Sequence, residues 1–190
     1  MQRIFLTIVV LLSFTGFLSA QVDSMKTESG MSANPELAGP TSPLLNPHQL
    51  EREKWFYSMD EAMRQPEKVF KLSLKNKKLK YIPAEISRFP NLQVLNLSEN
   101  KLKTLPDELA DLQHLQVLIL TNNKIKNLPD SMRELENLTQ LYLGRNQLVE
   151  MPAWVGGFSK LRTLDLSFNL LTTYEIELVA ARLPKCNVTH

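Results

Sequence analysis

Residues 92–114 read LQVLNLSENKLKTLPDELADLQH, and residues 115–137 repeat the pattern as LQVLILTNNKIKNLPDSMRELEN. Large aliphatic residues recur at the same places in both stretches, together with an Asn and a Leu-Pro pair. The pattern continues in both directions without an insertion, and five copies of 23 residues begin at Val69, Leu92, Leu115, Leu138 and Leu161. A fixed period of this length predicts a solenoid in which each copy is one structural unit.

Each copy combines a strand signal with a strand-ending signal. Alternate residues of a short Leu-x-Leu segment, such as Leu95 and Leu97, face the same side of a strand. In the first four copies a Pro follows, such as Pro106, which fixes φ and prevents the strand from continuing. We therefore expect one short strand in each copy, followed by a return that is either a short helical turn or an extended segment. Because one copy cannot bury its own apolar side, stacking of neighbouring copies has to supply the stability.

An Asn occupies the ninth position of four copies, where the chain leaves the strand and turns. Stacking buries this turn, and its backbone groups then need hydrogen-bonding partners. An amide side chain both donates and accepts hydrogen bonds. We therefore predict a structural ladder of asparagines, formed by Asn100, Asn123, Asn146 and Asn169. The first copy has Lys77 at this position, and we expect its turn to lie beside a cap and reach solvent.

Residues 69–183, with their recurring L-P-x-x-[IL]-x-x-L segment, resemble leucine-rich repeat proteins of the 23-residue class found in Ras-group-related and bacterial proteins. The resemblance implies an α/β fold, a leucine-rich repeat solenoid that forms a right-handed arc with a parallel concave sheet and short convex helical turns. About five repeats would be closed by helical N-terminal and C-terminal caps. The resemblance also implies protein–protein recognition, although proteins of this fold bind many unrelated partners.

The residues before the repeats carry an export signal. Arg3, an apolar run from Ile4 to Leu18 and the small residue Ala20 are typical of a signal peptide, predicted here at residues 1–20. The run is short for a bilayer span, which leaves a membrane anchor as the alternative. We therefore predict no transmembrane span in the mature chain. Residues 21–47 are rich in Ser, Thr, Gly and Pro and are predicted to form a disordered linker.

The remaining segments are predicted to close the two ends of the solenoid. Trp55, Phe56 and Met59 fall at helical spacing and indicate a helical N-terminal cap at residues 48–68. The leucine-rich repeats follow at residues 69–173, and a C-terminal cap is predicted at residues 174–190. The chain has one cysteine, whereas secreted animal relatives usually close their caps with disulfides. We therefore predict a bacterial exported protein, either secreted, periplasmic or on the cell surface.

Catalytic and metal-binding patterns are not evident in the sequence. The three histidines lie in the linker, at the convex edge and in the tail, without the spacing of a metal site or a catalytic triad. A glycine-rich phosphate loop is also missing. We therefore expect no enzymatic activity, no cofactor and no bound metal.

A candidate partner-binding site lies on the concave face of copies three to five. Side chains at one repeat position form a column there, with a spacing of about 4.8 Å between copies. Two such columns bring together Ile119, Tyr142, Arg145, Asp165 and Phe168, beside a notch predicted at Gly144. Tyr and Arg are enriched at binding hot spots. The alternative is an ordinary mixed surface.

Lysines form a second pattern, at two positions of the turn after each strand. The six residues are Lys78, Lys80, Lys101, Lys103, Lys124 and Lys126, whereas the convex side carries acidic residues and the net charge is only +2. The rows either provide solubility or attract an anionic surface, such as an acidic glycan, lipid headgroups or an acidic protein. Nucleic acid is not an expected partner, because aromatic residues do not alternate with these lysines.

Two hypotheses of function follow from these patterns. The first is an exported binding module that contacts a protein partner, whose identity the sequence does not reveal, through its concave face. The alternative is a cell-envelope or acidic-glycan binder that uses the lysine rows on the turn edge.

The signal-peptide hypothesis predicts cleavage after Ala20, so that the exported chain begins at Gln21. Intact-mass measurement of protein recovered outside the cytoplasm of the source organism tests this cleavage. Recovery of a chain that still carries Met1 would reject a signal peptide and favour a membrane anchor or a cytoplasmic scaffold.

Overall fold

A computed structural model of the protein describes residues 44–190. Seven parallel strands form one sheet in which the order of the strands follows the chain. Their bounds are β1 (Trp55–Phe56), β2 (Lys71–Ser73), β3 (Val94–Asn96), β4 (Val117–Ile119), β5 (Gln140–Tyr142), β6 (Thr163–Asp165) and β7 (Asn187–Thr189). The predicted signal peptide and residues 21–43 of the predicted linker lie outside the described residues.

The strands pair in the register that the repeat imposes. Leu95 of β3 lies beside Leu72 of β2 and beside Leu118 of β4, so each repeat position forms one column across the sheet. Leu95 and Leu118 are fully buried in one continuous apolar core. Burial of one leucine side chain contributes about 1.5–3 kcal/mol, and here the contact comes from neighbouring copies. This architecture confirms the predicted solenoid of repeats.

Short 3-10 helices form the convex side. They span Ala84–Arg88, Asp107–Asp111, Asp130–Glu134 and Ala153–Gly157, and each directly follows the Pro of its copy. One buried residue in each 3-10 helix closes the core from this side, namely Ile86, Leu109, Met132 or Val155. The prolines therefore end the extended backbone and start the return, as the sequence indicates.

The asparagines at the ninth repeat position bond to two copies at once. Asn123 accepts a hydrogen bond from the backbone N–H of Leu102 at 3.1 Å. Its amide donates to the carbonyl of Leu97 in the preceding copy at 3.0 Å and to that of Leu120 in its own copy at 2.9 Å. Equivalent contacts are made by Asn100, Asn146 and Asn169.

The turn of the first copy is exposed at Lys77, as expected, but its backbone is also bonded to Asn100. The backbone N–H groups of Lys77 and Leu79 both donate to Oδ1 of Asn100 at 3.0 Å. The turn that lacks its own Asn is therefore bonded by the Asn of the following copy, and its N–H groups do not depend on solvent.

The N-terminal cap differs from the predicted arrangement of helices. Trp55 and Phe56 form β1, which pairs with β2, and they are not part of a helix. A strand at this place pairs with the edge of β2, whose backbone groups would otherwise be open. Phe56 packs into the core with 6% of its surface exposed. The helix α2 (Met59–Ala62) follows, and the hydroxyl of Ser58 accepts from the N–H of Glu61 at its start.

The ordered chain also begins earlier than the predicted end of the linker at residue 47. The helix α1 (Pro47–Arg52) starts with a reciprocal capping box, in which Asn46 and Gln49 each bond to the other's backbone. The linker prediction is therefore wrong for residues 44–47. Leu44 and Leu45 are half-buried, and Leu45 packs against a cluster formed by Leu50, Val94 and Val117.

The C-terminal end combines a helix and a strand. Thr172 caps the helix α3 (Thr173–Arg182) by accepting from the N–H of Glu175. Val179 packs into the core, and β7 then pairs with β6. Among the helices of residues 44–190, none has the length and apolar character needed to cross a membrane.

Replacement of Asn123 by Ala is expected to lower the free energy of unfolding by about 1–3 kcal/mol, because the buried N–H of Leu102 and two carbonyls lose their partner. Chemical denaturation provides the measurement. Asn127→Ala is the matched control, since Asn127 is exposed and its change is expected to stay within about 0.5 kcal/mol. Equal midpoints for the two variants would contradict a structural role of the ladder.

Candidate partner-binding surfaces

The strand register brings three of the predicted site residues side by side. Ile119, Tyr142 and Asp165 are register partners on β4, β5 and β6. Their side chains lie between two core leucines of each copy, and all three are half-buried. The predicted column is therefore present on the concave face, but its members have different neighbours.

A second apolar cluster covers the concave face of β3 and β4. Leu50 from α1 packs with Val94 and Val117, which are only 7% and 6% exposed. Ile119 and Tyr142 pack against the margin of this cluster, as do Leu45, Trp55 and Phe70. Two of the five predicted site residues therefore also help to anchor the N-terminal segment.

Two glutamines bond the main chain of the N-terminal segment to the sheet. Oε1 of Gln93, a fully buried residue, accepts from the N–H of Leu45 at 2.9 Å. The amide of Gln116 donates to the carbonyl of Leu45 at 2.9 Å and to Oε1 of Gln93 at 2.8 Å. Both backbone groups of Leu45 are thereby satisfied, which positions residues 44–52 on the concave side.

Lys71 supports the same segment from β2. Its Nζ donates to the carbonyl of Glu51 at 3.0 Å and lies 5.3 Å from the ring centroid of Trp55. Desolvation lowers the pKa of Lys71, although the charges of Glu53 and Glu51 act in the opposite direction. Lys71, Val94 and Val117 share one repeat position, which is not among the predicted site positions. The sequence does indicate a covered surface at this position, because the apolar residue valine occupies it in two adjacent copies.

The predicted notch at Gly144 is filled. A Cβ at Gly144 would lie 2.6 Å from Oδ2 of Asp165 and 2.9 Å from Oγ of Ser167. The same aspartate accepts from the N–H and the hydroxyl of Ser167 at 2.9 and 2.6 Å. The missing side chain of Gly144 thus makes room for the carboxylate of the next strand, and the prediction of a vacant notch is wrong.

Arg145 and Phe168 form a separate pair in the turns that directly follow β5 and β6. The guanidinium carbon of Arg145 lies 4.5 Å from the ring centroid of Phe168, within the range of a cation–π contact. Phe168 is nevertheless 71% exposed. Both residues have positive φ, 57° and 55°, a conformation that is unusual for bulky residues. Exposed aromatic surface and backbone strain therefore coincide at Phe168.

The six lysines lie along the edge formed by the turns after the strands, and all six are exposed. Backbone hydrogen bonds fix the rows, because Lys101 donates to the carbonyl of Leu79 and Lys124 to that of Leu102. Within residues 44–190, the ion pairs do not include any of these six lysines.

The described residues contain no group of three or more His, Cys, Asp or Glu side chains that could hold a metal ion. Burial raises the pKa of the Cys186 thiol to about 11, against the opposing charge of Arg162. The thiol is therefore protonated at neutral pH and is a weak nucleophile there.

Comparisons with known proteins agree with this architecture. A family model described as "Leucine-rich repeat region" matches residues 65–180. A solved leucine-rich repeat protein of Leptospira interrogans is 33% identical, with a TM-score of 0.65, over 72% of this chain and 35% of its own. Internalin C2 of Listeria monocytogenes is 23% identical, with a TM-score of 0.56, over 65% of this chain and 52% of its own. Both solved proteins are thus considerably longer than the matched region. Among curated proteins, none matches this chain.

Leu50→Ala is expected to lower the free energy of unfolding by about 2 kcal/mol or more, because the buried contact with Val94 and Val117 is lost. His48→Ala on the exposed side of the same helix serves as the control. Urea denaturation of both variants measures the difference. If Leu50→Ala matches His48→Ala, the segment does not pack on the concave face.

Proposed function

This chain belongs to the leucine-rich repeat family, and we propose that it is an exported module that binds a protein partner through the C-terminal half of its concave face. The family supports a protein-interaction repeat module. The position of the proposed binding site depends on which part of the concave face the protein's own N-terminal segment leaves uncovered. Residues 44–52 cover the surface of β3 and β4, whereas Arg145 and Phe168 are exposed.

The Arg145–Phe168 pair is the observation on which the proposal depends most. A solvent-exposed aromatic ring contributes little to folding, and a non-glycine residue with positive φ costs about 1–2 kcal/mol. A partner that covers the ring would bury the apolar surface that the fold leaves exposed. It would also remove water from the cation–π contact, which strengthens that contact. Arg and large aromatic residues at the centre of an interface commonly dominate its affinity.

Tyr142 and Asp165 extend this site. Tyr142 donates its hydroxyl to Oε1 of Gln140 at 3.1 Å and is half-buried, which restricts its ring. Asp165 is held by Ser167 and keeps acceptor capacity on its second oxygen, since a carboxylate offers about four acceptor positions. The four residues provide an aromatic ring, a cation, a hydroxyl and an anion on a rigid backbone. This mixture is suited to a folded protein surface or a peptide.

The proposal of export depends on the N-terminal sequence. The apolar run from Ile4 to Leu18 lies outside the described residues. A similar solved structure from the bacterium Leptospira interrogans is compatible with a bacterial origin. The exposed lysine rows favour the second candidate, a binder of a cell-envelope component or an acidic glycan, since within residues 44–190 the ion pairs do not include these lysines.

Capture of a partner from the source organism with immobilised protein tests the concave site. Arg145→Ala and Phe168→Asn are expected to lower affinity about thirtyfold or more, which corresponds to about 2 kcal/mol at a hot spot. Asn tolerates positive φ and so preserves the backbone while it removes the ring. Arg133→Ala on the exposed convex side is the matched control. Unchanged capture by both concave variants would contradict the site.

A further inference from the structure

We propose that the turn edge of the solenoid is a docking surface for an anionic lipid bilayer, separate from the concave site. The turn edge comprises the six lysines of the first three copies and the residues at the same two repeat positions in copies four and five. Those residues are Gln147, Val149, Leu170 and Thr172. The edge thus changes along the chain from cationic to uncharged, with two apolar residues, Val149 and Leu170.

The apolar end of the turn edge is unusually exposed. Leu170 is 65% exposed, Val149 is 53% exposed, and Tyr174 in the first turn of α3 is 69% exposed. The backbone N–H of Leu170 donates to the carbonyl of Leu148, which brings Leu170 next to the turn that carries Val149. At the opposite, cationic end of the edge, Tyr81 beside Lys80 is 73% exposed and does not belong to this group. Exposed apolar residues that are grouped in this way indicate an interaction surface.

The cationic end has the properties of a general attractor for anions. Its lysines lie in two rows with a spacing of about 4.8 Å between copies. All six residues are Lys, whereas recognition of a single carboxylate or phosphate commonly uses the bidentate geometry of Arg. Glu99, an acid of the second copy, already pairs with Lys75 at 3.1 Å. Glu150 is the exposed acid beside Val149 and is outnumbered by the lysines.

Lipid headgroups match this combination better than a glycan or a folded protein. Headgroups move laterally and can adapt to the fixed spacing of the lysines without a preformed pocket. Lysines near an anionic leaflet are attracted within about a Debye length. Exposed Leu, Val and Tyr side chains can enter the boundary between headgroups and acyl chains, whereas Leu and Val offer no hydrogen bond to a sugar. The charges and the apolar residues therefore indicate the same partner.

Vesicles of phosphatidylcholine, with or without phosphatidylglycerol, provide the test on the full chain. Because residues 4–18 are apolar and could bind lipid themselves, the readout has to report on the turn edge. An environment-sensitive fluorophore is attached at Thr173→Cys in a Cys186→Ser background, with Asp111→Cys on the convex side as the control position. We expect the emission of the fluorophore at position 173 to shift to the blue with vesicles that contain phosphatidylglycerol, but not with vesicles of phosphatidylcholine only. The emission of a fluorophore at position 111 is expected to shift with neither.

Two sets of substitutions then separate charge from apolar contact. Replacement of four lysines (Lys101, Lys103, Lys124 and Lys126) by Gln is expected to weaken vesicle binding about tenfold or more and to reduce its salt dependence. Leu170→Ser with Tyr174→Ser is expected to weaken binding and abolish the blue shift. The matched control replaces four exposed cations elsewhere (Arg64, Lys68, Arg88 and Lys185) by Gln and should bind nearly as the unchanged chain does. Thermal unfolding of each variant verifies that the fold is retained.

Several results would overturn the proposal. These are an unchanged signal at position 173 with phosphatidylglycerol vesicles, equal losses for the two sets of four substitutions, and unaltered binding after the Leu170 and Tyr174 substitutions. Binding to heparin without vesicle binding would identify an acidic glycan as the partner. None of these results depends on Arg145 or Tyr142, so the concave site can fail or succeed independently.

Discussion

The asparagine at the ninth position of the repeat is the constraint on which the rest of this structure depends. Its amide bonds its own turn and the turn of the preceding copy, so the backbone of each turn is determined by its neighbour. The residue before the ninth position adopts positive φ in all five copies, where it is Asn76, Glu99, Asn122, Arg145 or Phe168. The scaffold thus imposes a strained conformation on whichever side chain occupies that position. Binding residues placed there are held rigidly, because buried hydrogen bonds stabilise their backbone.

This uniform backbone makes the differences among copies informative. Copies two and three carry Val94 and Val117 beneath residues 44–52, whereas copies four and five present Arg145 and Phe168 to solvent just after β5 and β6. On the turn edge, lysines in the first three copies are followed by Val149 and Leu170. Both surfaces therefore change character between the third and fourth copies. A protein partner on the concave face and a membrane on the turn edge would be compatible, since the two proposed sites share no residue.

The sequence predicted those features that follow from the period of the repeat. Leu95 and Leu118 had to stack in the core because they recur every 23 residues, and Asn123 had to serve a buried turn. Features that occur once were missed. Trp55 and Phe56 suit a helix or a strand, and only the open edge of β2 decides between them. The contact between Gln93 and Leu45 joins residues 48 positions apart and has no local signal. The space beside Gly144 was recognised, but a single sequence does not reveal that Asp165 turns into it.

Native-state hydrogen exchange tests the central claim most directly. The amides of Leu102 and Ile125 donate to Oδ1 of Asn123 and Asn146 in the core of the stacked turns. If the ladder supports the whole fold, these amides exchange only through global unfolding, and their free energy of opening equals the free energy of unfolding. Exchange of these amides by local opening, at free energies well below the global value, would show that the turns separate without unfolding the solenoid and would contradict this account.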